Sequence, residues 1–459
     1  MCMKERKNKR STFSGKIGFV LAAAGASVGL GNIWRFPDLG AKYGGGIFLL
    51  VYIILALTFG YAMIMAETSL GRMTGKSPVG AYGAFGKSKW RSLGGWINAV
   101  IPILIVPYYS VIGGWVIKYL VEYLLGHGQG LAADGYFSTF ISSGVSTEVC
   151  FVIFALFTLT IIFAGVRNGI ERVSKVMMPI LVVLSLIIAV YSVTRPGALA
   201  GVKYFLVPNF RDFSWMTVVS AMGQVFYSLS IAMGILITFG SYMKKDVSIE
   251  ASTRNVEIFD TAIAIMAGLM IIPAVFAFSG GSADNLKAGP SLMFITIPKV
   301  FASMEMGTVV GILFFLLVLF AAVTSSIALT ESAVSTFEDE FGWGRRKSTV
   351  IIGIVMLALG SLSSLGYGPL AGVTIIGMQF LDFFDFLTNS VMMPIAAIAT
   401  CLLVSKVVGV DAIEQEVTLE GGAFRRKKIF CVMIRYICPI FAVIILLSSV
   451  ANAFGLISM

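Results

Sequence analysis

The sequence is poor in charge and in the side chains on which most enzymes depend. Of 459 residues only 13% are Asp, Glu, Lys or Arg, one is histidine and five are cysteine. So little charge cannot cover the surface of a soluble domain of this size. The single histidine, His127, excludes a histidine-based metal centre. Cys2, Cys150, Cys401, Cys431 and Cys438 are scattered, mostly in or beside apolar runs, and none falls in a CxxC pair. That distribution argues against a disulfide framework or a thiolate metal site. No nucleophile, base and metal cluster emerges, so no enzyme is indicated. Nor does any Pro-, Ser- or charge-rich linker separate a soluble domain. The basic tail runs into an apolar segment that many others follow, which is not a cleavable signal pattern.

What remains is apolar. Hydrophobic residues make up 57% of the chain and the mean hydropathy is +0.90. About eleven runs approach the ~20 residues needed to cross a bilayer core. They lie near 16–38, 46–70, 95–125, 149–165, 170–194, 215–242, 256–280, 307–337, 348–365, 372–406 and 428–456. The third, eighth and tenth are long for a perpendicular crossing and predict tilt or extension beyond the bilayer. A polytopic all-α membrane protein is expected, with the lipid bilayer as its surroundings.

The net charge of +10 fits orientation better than nucleic-acid binding. With a cytoplasmic amino terminus, the inner segments carry Lys4 to Arg10, Arg72 and Lys76, Lys87 to Arg91, Arg167 to Lys175, Lys244 and Lys245, Arg345 to Lys347, and Arg425 to Lys428. The outer ones hold mainly Arg195, Lys203, Arg211, Lys287 and Lys299. This asymmetry predicts a multi-pass protein of the cell's inner (plasma) membrane, amino terminus inside. An odd number of spans puts the carboxyl terminus outside. Neither a nucleic acid nor an obligate protein partner is expected.

Two runs contain what a membrane helix ordinarily avoids. Gly25 to Pro37 reads Gly-Ala-Ser-Val-Gly-Leu-Gly-Asn-Ile-Trp-Arg-Phe-Pro, and Ser228 to Gly234 reads Ser-Leu-Ser-Ile-Ala-Met-Gly. In hydrocarbon, irregular polar backbone is tolerated only where it lines a cavity inside the protein. Breaks five spans apart are what two inverted five-helix repeats produce, and half-helix ends at the midplane suit ions and polar solutes. The expected organisation is an inner tail over 1–14, repeat one over 15–195, repeat two over 196–410, and an inner loop with an extra helix over 411–459. The long connections 126–148 and 281–306 would lie outside, the second as a hairpin dipping toward the cavity.

The polar residues in these runs each have two readings. Arg35 either snorkels to the outer interface or closes over the cavity with Asp385 as countercharge. Asp260 either caps the start of its helix or ligates a cation. Thr324 and Ser325 either bond back to carbonyls one turn earlier or join carbonyls of a broken helix in an all-oxygen cage for sodium. Tyr108, Tyr109, Tyr227 and Met233 are packing residues or an aromatic and polarizable lining. Gly71 to Ser77 imitates a phosphate-binding loop but is one residue short and follows no strand, so ATP-driven transport is unsupported.

Several motifs together resemble the neurotransmitter:sodium symporter family, whose members share the leucine-transporter fold. These are Gly-Leu-Gly-Asn-Ile-Trp-Arg-Phe-Pro at 29–37, Gly-Gly-Gly at 44–46, Gln-Val-Phe-Tyr-Ser-Leu-Ser at 224–230, Thr-Ser-Ser at 324–326 and Glu-Asp-Glu at 338–340. The resemblance implies two broken helices, the first and sixth, in a bundle like that of bacterial eleven-helix amino acid transporters. It implies a first sodium held by Ser27, Asn32, Ser228 and Asp260 with the substrate carboxylate. A second sodium would be held by carbonyls of Gly25, Val28 and Ala321 with the Thr324 and Ser325 hydroxyls. The substrate carboxylate would meet the amides of Leu30 and Gly31 and the Tyr109 hydroxyl. The ammonium would meet carbonyls near Ser27, Tyr227 and Ser230.

The side-chain pocket implied is Ile105, Tyr109, Tyr227, Met233, Ser325 and Leu329, an apolar set suited to aliphatic or aromatic L-amino acids. Gly29, where monoamine carriers have aspartate, leaves room for a substrate with its own carboxylate. Arg35 and Asp385 match the outer gate, and Arg10, Tyr242 and Asp339 the inner one, with Phe13 where many relatives have tryptophan. Gly169 and Pro179 match a spacing that lets span five unwind. Tyr52, Gln224 and Ser228 match chloride ligands, but Ala264 replaces a hydroxyl and Asp260 brings its own charge, so chloride is not expected. Ala232 stands where relatives often have glycine. The implied function is sodium-coupled import of hydrophobic amino acids by alternating access. The alternatives are a symporter for another small carboxylate-bearing solute and a sensor that binds without transporting.

Overall fold

The structure, a computed structural model, describes residues 11–86, 89–280 and 292–453. Nine helices among them are long and apolar enough to cross a membrane. They are α2 (Gly46–Thr74), α3 (Lys89–Leu124), α4 (Gly144–Phe163), α5 (Val166–Val193), α7 (Ile249–Phe278), α8 (Gly307–Phe341), α9 (Arg345–Leu365), α10 (Phe380–Val408) and α11 (Lys427–Ala453). Two interrupted helices complete the order. α1 consists of Lys16–Ser27 and Gly31–Lys42, bent by 53° between them. α6 consists of Trp215–Ser228 and Ile235–Ser241.

Local chemistry explains where these helices begin and end. Ser214 starts α6 with a reciprocal cap: its hydroxyl accepts from the Thr217 N–H at 3.1 Å and its N–H donates to the Thr217 hydroxyl at 3.3 Å. Ser248 caps α7 by accepting from the Ala251 N–H at 3.3 Å. Left-handed Gly75 and Gly342 end α2 and α8. Pro102, Pro107, Pro179 and Pro273 sit inside helices, a placement membrane helices tolerate where packed neighbours can take up the freed carbonyls.

The core is the interior of the bundle. α1 packs against α5, α7 and α8, α8 lies along α3, and the second half of α6 lies along α2. Helices α4, α5 and α11 keep much of their apolar surface exposed, including Val149, Ile153, Val183, Ile187, Ile440 and Leu447. A bundle in lipid gains nothing by burying such side chains. The third and eighth spans are long, at 36 and 35 residues. The tenth is shorter than its hydropathy suggests, because 366–379 is a run of turns with a left-handed Ile376. Of the expected hairpin over 281–306, residues 281–291 lie outside the described residues. Leu292–Ala302 is a short helix whose Phe294 is fully buried among Trp34, Trp115, Tyr119 and Phe137.

Candidate functional site

The two interruptions face each other. In α1 the residues between the halves are Val28, Gly29 and Leu30, and the backbone then resumes as a wide turn over Gly31–Arg35. In α6 the chain leaves the helix at Leu229 and reaches Gly234 through left-handed Ser230 (φ 53°), Ala232 (φ 59°) and Gly234 (φ 70°). Two L-residues in that region cost on the order of 1–2 kcal/mol each and need outside support. The Glu67 carboxylate of α2 supplies part of it by accepting the Ala232 N–H at 2.8 Å. The Ser230 hydroxyl ties the break to α1 by donating to the Ala26 carbonyl at 2.9 Å.

Asp260 is fully buried, two turns and more into α7, so it is not a cap. Three donors converge on its carboxylate: Asn32 Nδ2 at 2.8 Å, the Ser228 hydroxyl at 2.7 Å and the Tyr52 hydroxyl at 2.6 Å. Asn32 turns its oxygen the other way and accepts from the Gly29 N–H at 3.3 Å. Ser27, at the end of the first half of α1, has a buried hydroxyl with no partner. The result is a compact set of oxygens from α1, α6 and α7 around one formal negative charge, a donor set that suits a hard monovalent cation.

The hydroxyls of α8 divide between their two readings. Thr324 bonds back to Phe320 and Ala321 carbonyls at 3.0 and 3.1 Å. Ser325 reaches across to α1 and donates to the Gly25 and Ala26 carbonyls at 3.3 and 3.2 Å. Gly25, Ala321, Thr324 and Ser325 therefore form a second oxygen cluster, with Val28 buried at the neighbouring end of the helix.

Between these clusters lies a cavity of about 30 Å³, the scale of a few water molecules. Its wall holds all ten residues expected at the substrate: Ser27, Leu30, Gly31, Ile105, Tyr109, Tyr227, Ser230, Met233, Ser325 and Leu329. Tyr109 closes it, its hydroxyl accepting from the Leu30 N–H at 3.3 Å. Gln224 donates to the Gly31 carbonyl at 2.9 Å. Gly29 is glycine for a steric reason: a Cβ there would lie 2.5 Å from the Ser325 hydroxyl and 3.1 Å from that of Tyr109.

The cavity's two ends differ. On the Arg35 side a vestibule of about 480 Å³ reaches down to Tyr227 and is lined by both Arg35 and Asp385. No ion pair within 4.0 Å joins them. Arg35 lies over the Tyr227 ring at 5.2 Å, and Asp385 accepts from Asn389 at 2.6 Å. Asp382 of the same wall accepts from Tyr367 at 3.0 Å, and burial with that carboxylate holds the Tyr367 phenol well above its ordinary range. On the other side the path is packed shut. Phe13 is buried against Phe19, Phe239 and Tyr242, and its N–H donates to the Tyr242 carbonyl at 3.1 Å. Tyr242 donates to Glu331 at 2.7 Å, and Arg345 grips the same carboxylate at 2.6 and 3.0 Å. Asp339 accepts from the Ser77 N–H at 2.6 Å, while Arg10 lies outside the described residues. Gly169 sits in the wide turn Val166–Glu171 that opens α5, and Pro179 within the helix that follows.

The family model described as the sodium:neurotransmitter symporter family matches residues 10–127 and 138–456. The chain belongs to that family. The symporter is 34% identical to the uncharacterized sodium-dependent transporter YhdH of Bacillus subtilis strain 168, over 98% of this chain and 99% of that one. An uncharacterized sodium-dependent transporter of Haemophilus influenzae is 30% identical over 97% and 100% of the two chains. Among solved structures, MhsT in complex with L-phenylalanine superimposes with a TM-score of 0.86 at 35% identity, covering 96% of this chain and 100% of that one. The symporter is thus a multi-pass, sodium-dependent membrane transporter with the leucine-transporter fold, not an enzyme.

Several of the symporter's polar residues carry no expectation from motif reading. Glu67, Glu331 and Arg345 are examples, and so is Glu171, which binds both the N–H of Ser14 (2.8 Å) and its hydroxyl. The signal was present in plain view: Glu67 and Glu331 are carboxylates inside apolar runs, where an unpaired one is costly.

Proposed function

We propose that the protein imports hydrophobic L-amino acids together with two sodium ions by alternating access, without chloride. The observation that carries this reading is the cavity where the two helix interruptions meet, because one small space unites backbone of both interruptions, Ser27 and Asn32 of the Asp260 cluster, and an apolar wall. An amino acid would set its carboxylate against the Leu30 and Gly31 amides and its side chain against Ile105, Met233 and Leu329. The first sodium would join that carboxylate to Asn32, Ser27, Ser228 and Asp260. The second would bind Gly25, Val28, Ala321, Thr324 and Ser325. Shared ligation makes ion and solute favour one conformation, which is what coupling requires.

The cavity is too small for such a substrate while Tyr109 bonds to Leu30. Entry from the Arg35 vestibule would displace that hydroxyl, and Arg35 and Asp385 would then close above it. Exit would need Phe13, Tyr242, Glu331 and Arg345 to separate, with Arg10 and Asp339 at the same gate and the Gly169–Pro179 stretch unwinding. The likeness to MhsT, whose solved complex holds L-phenylalanine, supports the substrate class. The loop charges support a cytoplasmic amino terminus and an outer carboxyl terminus in the plasma membrane, with repeats over 15–195 and 196–410.

Energetically the scheme is ample. Each charge moving down the membrane potential yields about 2.3 kcal/mol per 100 mV, so two ions give about 4.6 kcal/mol, roughly a 10³-fold gradient of a zwitterion. The test is flux in proteoliposomes with labelled amino acids. Accumulation of leucine or phenylalanine only under an inward sodium gradient supports the proposal. Saturable binding with no accumulation makes the protein a sensor, and accumulation of a different carboxylate overturns the substrate class.

A further inference from the structure

A cavity of about 690 Å³ that shares no lining residue with the transport cavity or its vestibule lies where the start of α7, the middle of α2 and the segment entering α11 come together. Arg254 and Arg425 line it, and both are exposed. Among the described residues no carboxylate lies within 4.0 Å of either guanidinium. The neighbouring charges are already engaged. Arg426 holds Glu257 at 2.6 and 3.2 Å, Glu250 accepts from the Tyr61 hydroxyl at 3.1 Å and the Arg425 N–H at 3.0 Å, and Lys245 pairs with Glu416 at 2.8 Å. Among the described residues of the wall, Arg254 and Arg425 form no ion pair, and the four basic side chains Lys245, Arg254, Arg425 and Arg426 outnumber the three acidic ones, Asp246, Glu250 and Glu257.

The wall is also fixed in place. Arg426 stacks on Tyr61 at 3.6 Å and donates to the Leu57 carbonyl at 3.0 Å, so the backbone that carries Arg425 is tied to α2 and, through Glu250, to α7. On the same cavity wall, Leu57 and Ile258 are 46% and 58% exposed, each on a helix that crosses the membrane. A site with unpaired guanidinium groups and apolar side chains on two spanning helices matches a molecule that is anionic at one end and hydrocarbon at the other.

We propose that this cavity binds an anionic phospholipid, its phosphodiester between Arg254 and Arg425 and its acyl chains along Leu57 and Ile258. Arginine's planar fork suits phosphate oxygens better than an ammonium does, and basic residues at a membrane surface attract anionic headgroups. The exposed leucine and isoleucine decide for a lipid over free phosphate, because a soluble anion gains nothing from them. Such a lipid would bridge α2, α7 and α11 at the end of the bundle where Phe13 closes the transport path.

The test is native mass spectrometry of the full chain released from nanodiscs containing phosphatidylglycerol, with phosphatidylcholine as the zwitterionic probe and glycerol 1-phosphate as the free headgroup. The proposal expects preferential retention of phosphatidylglycerol and at least a fivefold loss in R254Q/R425Q, with R254K/R425K keeping more than the glutamine pair. L57N/I258N should lower phosphatidylglycerol retention as well. Sodium-dependent substrate binding, measured in parallel, should persist in R254Q/R425Q and so show that it is folded. Equal retention by wild type and R254Q/R425Q, or of both lipids by wild type, overturns the proposal. Glycerol 1-phosphate that displaces phosphatidylglycerol at similar concentration makes the site one for a soluble anion, and overturns it too.

Discussion

Glu67 and Ala232 are joined by a 2.8 Å hydrogen bond from a backbone N–H to a buried carboxylate, and that bond holds a left-handed alanine in the interruption of α6. A helix break at membrane depth frees backbone donors that water cannot reach, so a side chain from a neighbouring helix must take them. Among the described residues Glu67 has no other hydrogen-bond partner, its second carboxylate oxygen being buried and unpaired. Glu67→Ala should therefore destabilise the protein by about 1–3 kcal/mol, the cost of an orphaned buried donor. Ala232→Gly should raise thermal stability, since glycine adopts φ 59° without strain. Thermal unfolding in detergent reads both, and a stable Glu67→Ala with unchanged substrate affinity contradicts the role.

Asp260 is the only formal charge in the first oxygen cluster, and Asn32, Ser228 and Tyr52 all donate to it. Asp260→Asn keeps the shape and removes the charge. Sodium titrations of labelled amino acid binding should shift to at least tenfold higher sodium, while the variant stays folded. Unchanged sodium affinity removes Asp260 from the ion site.

Gly29 leaves no space for a side chain beside Ser325 and Tyr109. Gly29→Ala should push Ser325 away from the Gly25 and Ala26 carbonyls and weaken amino acid binding tenfold or more. Equilibrium binding across a panel of amino acids checks this, and a variant that binds leucine normally rules out the steric role.

Ions that bind only the folded state stabilise it by mass action, about 2.7 kcal/mol per site at one hundred times Kd. Replacing sodium with potassium should lower the midpoint of thermal unfolding, and replacing chloride with gluconate should leave it unchanged. A chloride-dependent midpoint would contradict the reading of Asp260 as the resident negative charge.

Glu171 holds Ser14 next to Phe13, and Lys175 of α5 and Lys244 also reach this contact. Ser14→Ala with Glu171→Gln should loosen the packed end. Hydrogen exchange over the Val166–Glu171 turn is the measurement, and it should rise severalfold, more in potassium than in sodium. No change in exchange would mean that Phe13 is held by packing alone.

Much of this architecture was legible in the residues. Span existence follows from run length, because the bilayer sets the number of apolar residues required. The two interruptions were visible because glycine, serine and asparagine are expensive in hydrocarbon unless they line a cavity. Span ten begins at Phe380 and not at 372, since 372–379 is as apolar as a helix yet forms turns. Arg35 and Asp385 were placed in one space by charge, but their separation depends on which end of the path is packed, and composition carries no such information.

By itself, then, the sequence determined the class of molecule, the positions of the helix breaks and the residue types around them, because each is a local cost that water or lipid imposes on a stretch of chain. Only the tertiary structure decided which carboxylates support those breaks, that Ser325 crosses to α1 while Thr324 bonds back, and that the Phe13 end is closed. Those outcomes depend on contacts between helices hundreds of residues apart, where packing selects one hydrogen-bond partner among several that the chain offers equally.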